Sequence, residues 1–135
     1  IYAELNKGAW LNGERLNVSK SHNISSASIS TGNLKSLAQS DGWQDLGKII
    51  SRADRIRGYG DFYHYHLLAA GKIDAVIESD VNILDIAALS IIIKEAGGVF
   101  TDLNGEQLTL DTLSVMAANS VLHAKLKNRL KGYVK

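Results

Sequence analysis

A single acid opens an otherwise apolar run in Asn82-Ile-Leu-Asp-Ile-Ala-Ala-Leu-Ser-Ile-Ile-Ile-Lys-Glu-Ala-Gly-Gly98, and that acid is Asp85. Aspartate is favoured at a helix N-cap, where its carboxylate accepts hydrogen bonds from free backbone N–H groups. The spacing therefore predicts a helix over 85–96 with Asp85 as its cap. The residues behind it (Ile86, Ala87, Ala88, Leu89, Ile91, Ile92, Ile93) are apolar on nearly every side, which predicts a helix buried in the middle of its domain. Gly97-Gly98 then ends it. A carboxylate at the positive end of such a helix stays ionised, and the same helix end can receive an anion. Hard cations such as Mg²⁺ take oxygen ligands, so the pairing suits a metal-dependent phosphate site. On the residues alone, a plain helix cap is the better explanation of Asp85.

Other chemistry-bearing side chains are fewer. Arg57 and Asp61 flank a glycine-containing strand-to-helix turn. Gly60 within it permits close approach of the backbone to a ligand, and Asp61 can cap the next helix or grip a substrate. Arg57 reads as a structural ion-pair donor or a reach to a partner subunit. Glu95 is more than two turns from Asp85 and cannot share a metal with it, so it reads as structural. His64 and His66 are two apart and do not share a helix face. They and His22 and His123 read as structural or surface residues, and Tyr63 and Tyr65 as packing residues.

The elements that would position these groups alternate. Asn12-Gly13 is a two-residue turn signal that predicts a hairpin over 9–18. Residues 22–30 read as a strand anchored by Ile24 and Ile29. Leu34, Leu37 and Ala38 fall at helical spacing, as do Trp43, Leu46, Ile49, Ile50 and Ala53, with Ser40-Asp41-Gly42 between them. Strands are expected over 55–59, 73–77, 99–101 and 113–117, with a turn at Asn104-Gly105. Phe62, Tyr65, Leu68 and Ala69 stripe a helix stopped at Gly71. Leu122, Leu126 and Leu130 stripe a last one, whose Lys125, Lys127, Arg129 and Lys131 face water. Alternation of this kind predicts a single layered α/β/α domain, with a mixed central sheet and helices on both faces.

Composition sets the bounds. The 135 residues are 45% apolar and 21% charged, an ordinary globular balance. The absence of cysteine excludes disulfides, thiolate metal sites and thiol nucleophiles, and fits a cytoplasmic protein. A net charge of +1 argues against broad attraction to nucleic acid or anionic membrane. The longest nearly apolar run, 86–93, is too short to span a bilayer.

Several motifs together resemble the inositol monophosphatase-like phosphatases, over the whole chain. The stretch from Asn82 to Gly98 resembles that family's W-D-x-A-A … E-A-G-G motif, with Leu84 in the tryptophan position. Gly8-Ala9-Trp10-Leu11-Asn12-Gly13-Glu14-Arg15-Leu16 is similar to its G-A-x-x-N-G-x-x-I hairpin. Met116-Ala117-Ala118-Asn119 with Leu122-His123 is similar to its closing strand and last helix. Arg57-Gly58-Tyr59-Gly60-Asp61-Phe62-Tyr63 resembles the branch acting on histidinol phosphate, which has R-x-x-G-D-x-Y where the inositol branch has R-x-x-G-S/T-A.

The resemblance implies the C-terminal half of a Mg²⁺-dependent phosphomonoesterase acting on a small phosphate ester. Histidinol phosphate is the first candidate and inositol phosphate the second; a binding or interaction module that kept the fold without the chemistry is the competing reading. The family's Asp-Pro-(Ile/Leu)-Asp-Gly-(Ser/Thr) loop requires proline, and this chain has none. Most metal ligands are thus expected from a missing N-terminal half, and this half alone is expected to be inactive. Asp85 becomes a metal ligand, and with it a catalytic residue. Glu78, seven residues earlier, matches an acid that contacts substrate, and a carboxylate suits the cationic amine and imidazole of histidinol phosphate. Asp61 and Gly60 join it as substrate-binding residues. A homo-oligomer is expected.

Overall fold

Asn12 and Gly13 turn the hairpin as their types require. In a computed structural model of the chain, which describes residues 1–60 and 62–130, they take φ of 51° and 82°. Positive φ at both central residues is the geometry of a two-residue I′ loop. The hairpin strands are β2 (Gly8–Leu11) and β3 (Glu14–Leu16). A further strand, β1 (Tyr2–Glu4), pairs antiparallel with β2 in the register Tyr2↔Trp10, giving a three-stranded sheet.

The central sheet has five strands: β4 (Ser28–Gly32), β5 (Arg55–Arg57), β6 (Ala75–Ser79), β7 (Gly98–Thr101) and β8 (Ser114–Asn119). Their order is β5-β4-β6-β8-β7. The first three run parallel, while β8 is antiparallel to both neighbours. The sheet is therefore mixed, as expected. The helices are α1 (Leu34–Ala38), α2 (Trp43–Arg52), α3 (Tyr63–Ala69), α4 (Ile83–Glu95) and α5 (Ser120–Arg129).

Period-two alternation splits the core across the sheet. Val76, Val115 and Ala117 face Tyr65 and Leu68 of α3, Ile86, Leu89 and Ile93 of α4, and Ala9 and Leu16 of the hairpin. Ala75, Ile77, Met116 and Ala118 face Leu37, Leu46 and Ile49 on one side and Leu122 and Leu126 on the other. Glu78, two residues beyond Val76, thus lies on the α3–α4 side. Among the described residues no helix is long and apolar enough to cross a membrane.

Three expectations about local structure need correction. Residues 22–30 are not one strand: Ile24–Ser26 form a 3₁₀ turn, and β4 starts at Ser28. Asp85 is not the cap of its helix. Asn82 holds extended φ/ψ (−114°, 134°) and its side chain accepts from Leu84 N at 2.8 Å, so Asp85 is the third helical residue. Asparagine and aspartate cap equally well, and the extended Asn82 intercepted the role. Nor is α4 buried all round. Leu84, Ala87, Ala88 and Ile91 lie on an exposed face, with Leu84 84% exposed.

Long-range polar contacts tie the first segment down. Glu95 accepts from Asn6 N and Gly8 N at 2.9 and 2.8 Å, fastening the three-stranded sheet to the end of α4. Asn119 caps α5 through Leu122 N, while its amide donates to Ser19 O and Ser21 O at 3.1 and 2.8 Å.

Candidate functional site

β4 and β6 run parallel and end side by side, in the register Gly32↔Glu78. Ligands of open α/β sheets collect where such C-terminal strand ends leave a crevice. Here Asn33 (φ 58°) follows β4 and Asp80 (φ 55°) follows β6. Asn and Asp tolerate this left-handed conformation better than most residues, and the two turns throw the chain sharply off the sheet. Asn33 Nδ2 donates to Ser79 O at 2.6 Å and locks the turns together.

The crevice is a depression of about 650 Å³ between these turns, the start of α3 and the N-terminus of α4. Gly60, Glu78 and Asp85, all expected at the site, line it, joined by Asp80, Asn82 and Tyr65. Phe62 and Leu113 form part of its wall and are more than half exposed. Asp61, the remaining expected residue, lies outside the described residues. Among the described residues the lining carries three carboxylates and no lysine or arginine, so the depression attracts cations.

Glu78 and Asp85 meet very different surroundings. Asp85 is exposed, at the positive end of the thirteen-residue α4. Glu78 is buried, and burying a carboxylate is costly unless it is hydrogen-bonded. Tyr65 supplies one bond, its hydroxyl donating to Glu78 Oε1 at 2.5 Å. His64 Nε2 lies 3.4 Å from the same oxygen, and His64 Nδ1 lies 2.9 Å from Ser30 Oγ. Burial first, then the Glu78 charge and hydrogen bond, push the Tyr65 phenol far above its ordinary range, so it remains a donor. Gly60 has φ of 68°, and a Cβ there would meet no atom of the described residues within 4 Å.

The remaining expectations resolve as follows. His64 and His123 are buried; His123 packs structurally against Thr101, and His64 lies behind Glu78, between it and Ser30, without lining the depression. Arg57 is not an ion-pair donor among the described residues; its guanidinium donates to Ile56 O. Lys131 lies outside the described residues. Asp80, Asn33 and Ser30 were missed. A turn residue after each strand was the available signal for the first two, whereas Ser30 and His64 are joined only by the tertiary fold.

Oxygen donors suit a hard divalent cation, and Asp85 offers an exposed carboxylate. Yet among the described residues no three His, Cys, Asp or Glu side chains converge closely enough to hold a metal ion. These residues can supply part of a coordination shell and do not close one.

Comparison with known proteins gives a consistent picture. Residues 1–135 match the inositol monophosphatase family. The chain is 38% identical over 122 residues to a histidinol-phosphatase of Mycobacterium tuberculosis, covering 86% of this chain and 44% of that protein. It is 33% identical over 128 residues to a fructose-1,6-bisphosphatase/inositol-1-monophosphatase of Thermotoga maritima, covering 91% and 47%. Among solved structures, the extragenic suppressor protein suhB of Bartonella henselae superposes with a TM-score of 0.86 at 27% identity, over 97% of this chain and 52% of that one. The chain thus spans about half the length of the relatives it matches.

Proposed function

The chain belongs to the inositol monophosphatase family, and from that membership we propose that it forms part of a metal-dependent phosphomonoesterase for a small phosphate ester. The supporting observation is the acidic depression, in which exposed Asp85 stands at a helix N-terminus beside buried Glu78. The reaction is hydrolysis: water attacks phosphorus, the ester P–O bond breaks, and the departing alkoxide takes a proton to leave alcohol and inorganic phosphate. Bound Mg²⁺ would supply Lewis-acid polarisation of the phosphate oxygens and a water of lowered pKa. Asp85 would give that ion one oxygen, and the part of the relatives' length that this chain does not span would supply the remaining ligands. The positive end of α4 favours the phosphate, while Glu78 accepts a polar hydrogen from the alcohol portion. Asp61 is proposed to help hold that portion.

Histidinol phosphate is the first candidate ester, because its ammonium and imidazole suit a depression whose charged side chains among the described residues are all carboxylates. Inositol phosphate is the second. The test is turnover of both esters by the full-length protein, with and without chelator. Chelator-sensitive hydrolysis, a higher kcat/KM for histidinol phosphate and loss of kcat on both esters in Asp85→Asn are expected. Faster hydrolysis of inositol phosphate replaces the first candidate with the second; hydrolysis that ignores both chelator and Asp85→Asn ends the metal reading.

A further inference from the structure

The side chains behind Glu78 form a chain of hydrogen bonds whose direction can be worked out. Tyr59 N donates to Ser30 Oγ at 3.2 Å. That leaves the Ser30 hydroxyl hydrogen free to donate to His64 Nδ1, 2.9 Å away. A ring that accepts at Nδ1 carries its proton at Nε2, and His64 Nε2 faces Glu78 Oε1. Tyr65 donates to the same oxygen. Ser30 and His64 are fully buried and Tyr65 nearly so, so water does not compete for these bonds. Oε1 thus accepts from Tyr65 and, with His64 in this tautomer, faces a second donor. Oε2 has no hydrogen-bond partner among the described residues, and it is the atom that a Cβ on Gly32 would clash with most closely.

We propose that Tyr65, His64 and Ser30 are positioning residues that commit one oxygen of Glu78 and present the other to the depression as a single acceptor. Such an acceptor takes one polar hydrogen, from a hydroxyl, an ammonium or an imidazole N–H. It does not match the two-pronged donor of a guanidinium, which needs both carboxylate oxygens. The relay also reaches the wall opposite. Tyr59 belongs to the Gly58-Tyr59-Gly60 turn, whose Gly60 lines the same depression, so turn and carboxylate are held in register through Ser30 and His64. The identity of the ligand rests on the phosphatase reading above; the orientation of the relay does not.

Kinetics of the full-length protein and NMR of this chain test the two parts separately. Tyr65→Phe should raise KM for histidinol phosphate about tenfold more than for phenyl phosphate, which has no polar hydrogen beyond its phosphate. In a Glu78→Gln background, Tyr65→Phe should add less than about threefold, because both changes act through one oxygen. His64→Gln, whose amide can replace Nε2–H, should retain more of the selectivity than His64→Leu. Equal rises in KM for the two esters, or effects of Tyr65→Phe and Glu78→Gln that multiply, would overturn the proposal. In the ¹⁵N-labelled chain, His64 should be the Nε2–H tautomer near pH 8, and Ser30→Ala should perturb its Nδ1 signal. An Nδ1–H tautomer overturns the relay whether or not any ester is hydrolysed. A protein that hydrolyses no ester but holds the Nε2–H tautomer retains the relay and loses the phosphatase reading.

Discussion

Gly32 and Glu78 face each other across the β4–β6 pair, and the glutamate side chain fills the space where a side chain at position 32 would lie. Added there, a Cβ would come within 2.8 Å of both Cγ and Cδ of Glu78. Elsewhere a flexible carboxylate would swing aside cheaply, but this one is tied by Tyr65 and His64. Gly32→Ala is expected to cost about 1–3 kcal/mol in urea unfolding, the usual range for overpacking. Unchanged stability would mean that Glu78 is free to move.

Acid should loosen the attachment of the three-stranded sheet. Hydrogen bonds from Asn6 N first, and from Gly8 N next, hold the Glu95 carboxyl below its ordinary value. A depressed folded pKa stabilises the fold above the unfolded glutamate pKa, and that contribution is lost as pH falls through the folded value. Glu95→Gln should therefore remove part of the acid sensitivity of the Asn6 and Gly8 amides in hydrogen exchange. Identical exchange profiles in the two proteins would contradict this.

His123 should act in a higher pH window. Its ring is held below the usual imidazole value, by burial first and Lys127 second. The Thr101 hydroxyl donates to Asp102 O, so at 2.7 Å it accepts from His123 Nε2–H. The stabilisation from this neutral ring is complete above the unfolded pKa of about 6.5 and is lost as pH falls through the lower folded pKa. Between about pH 7.5 and 5.5, the wild-type chain is expected to lose more stability in urea than His123→Asn does. Equal losses would dismiss the assignment.

The outer face of α4 makes a different prediction. Leu84 and Ile91 are exposed at helical spacing around Ala87 and Ala88. Charged replacements such as Leu84→Glu and Ile91→Lys should change the melting temperature of the 135-residue chain by no more than a degree or two, as usual for surface sites. If the part of the relatives' length that this chain does not span packs on this face, the same pair should destabilise the full-length protein markedly. Equal tolerance in both would show that the face is open in both.

The chain by itself should release no phosphate above background. Only part of a metal shell converges among its described residues, and one exposed carboxylate holds Mg²⁺ weakly. Chelator-sensitive turnover by the isolated chain would refute this.

The features legible in the sequence are those set by local chemistry. Asn12-Gly13 signalled its turn directly, whereas Glu78 was joined to Asp85 by the family resemblance, and both line one crevice. What stayed hidden depended on distant partners. An all-apolar stretch such as 86–93 does not say which face the rest of the chain will cover, so the exposed side of α4 was read as buried. Asn82 and Asp85 are both good caps, and backbone conformation, which no residue type records, chose between them. Ser30 joins His64 across 34 positions, beyond the reach of any local pattern.

Asn119 binds the carbonyls of Ser19 and Ser21 about one hundred residues upstream, and this has a consequence for the order of assembly. Synthesis runs from the N-terminus, so residues 19–21 leave the ribosome long before their partner exists. The hairpin can form early from its own turn, but Glu95, which fastens its sheet, also arrives late. Closing loops this long is entropically costly and slows folding. This early-made segment is thus fixed in place only once Glu95 and Asn119 have been made, and until then the apolar side of its hairpin, with Ala9 and Leu16, is exposed to whatever else is nearby.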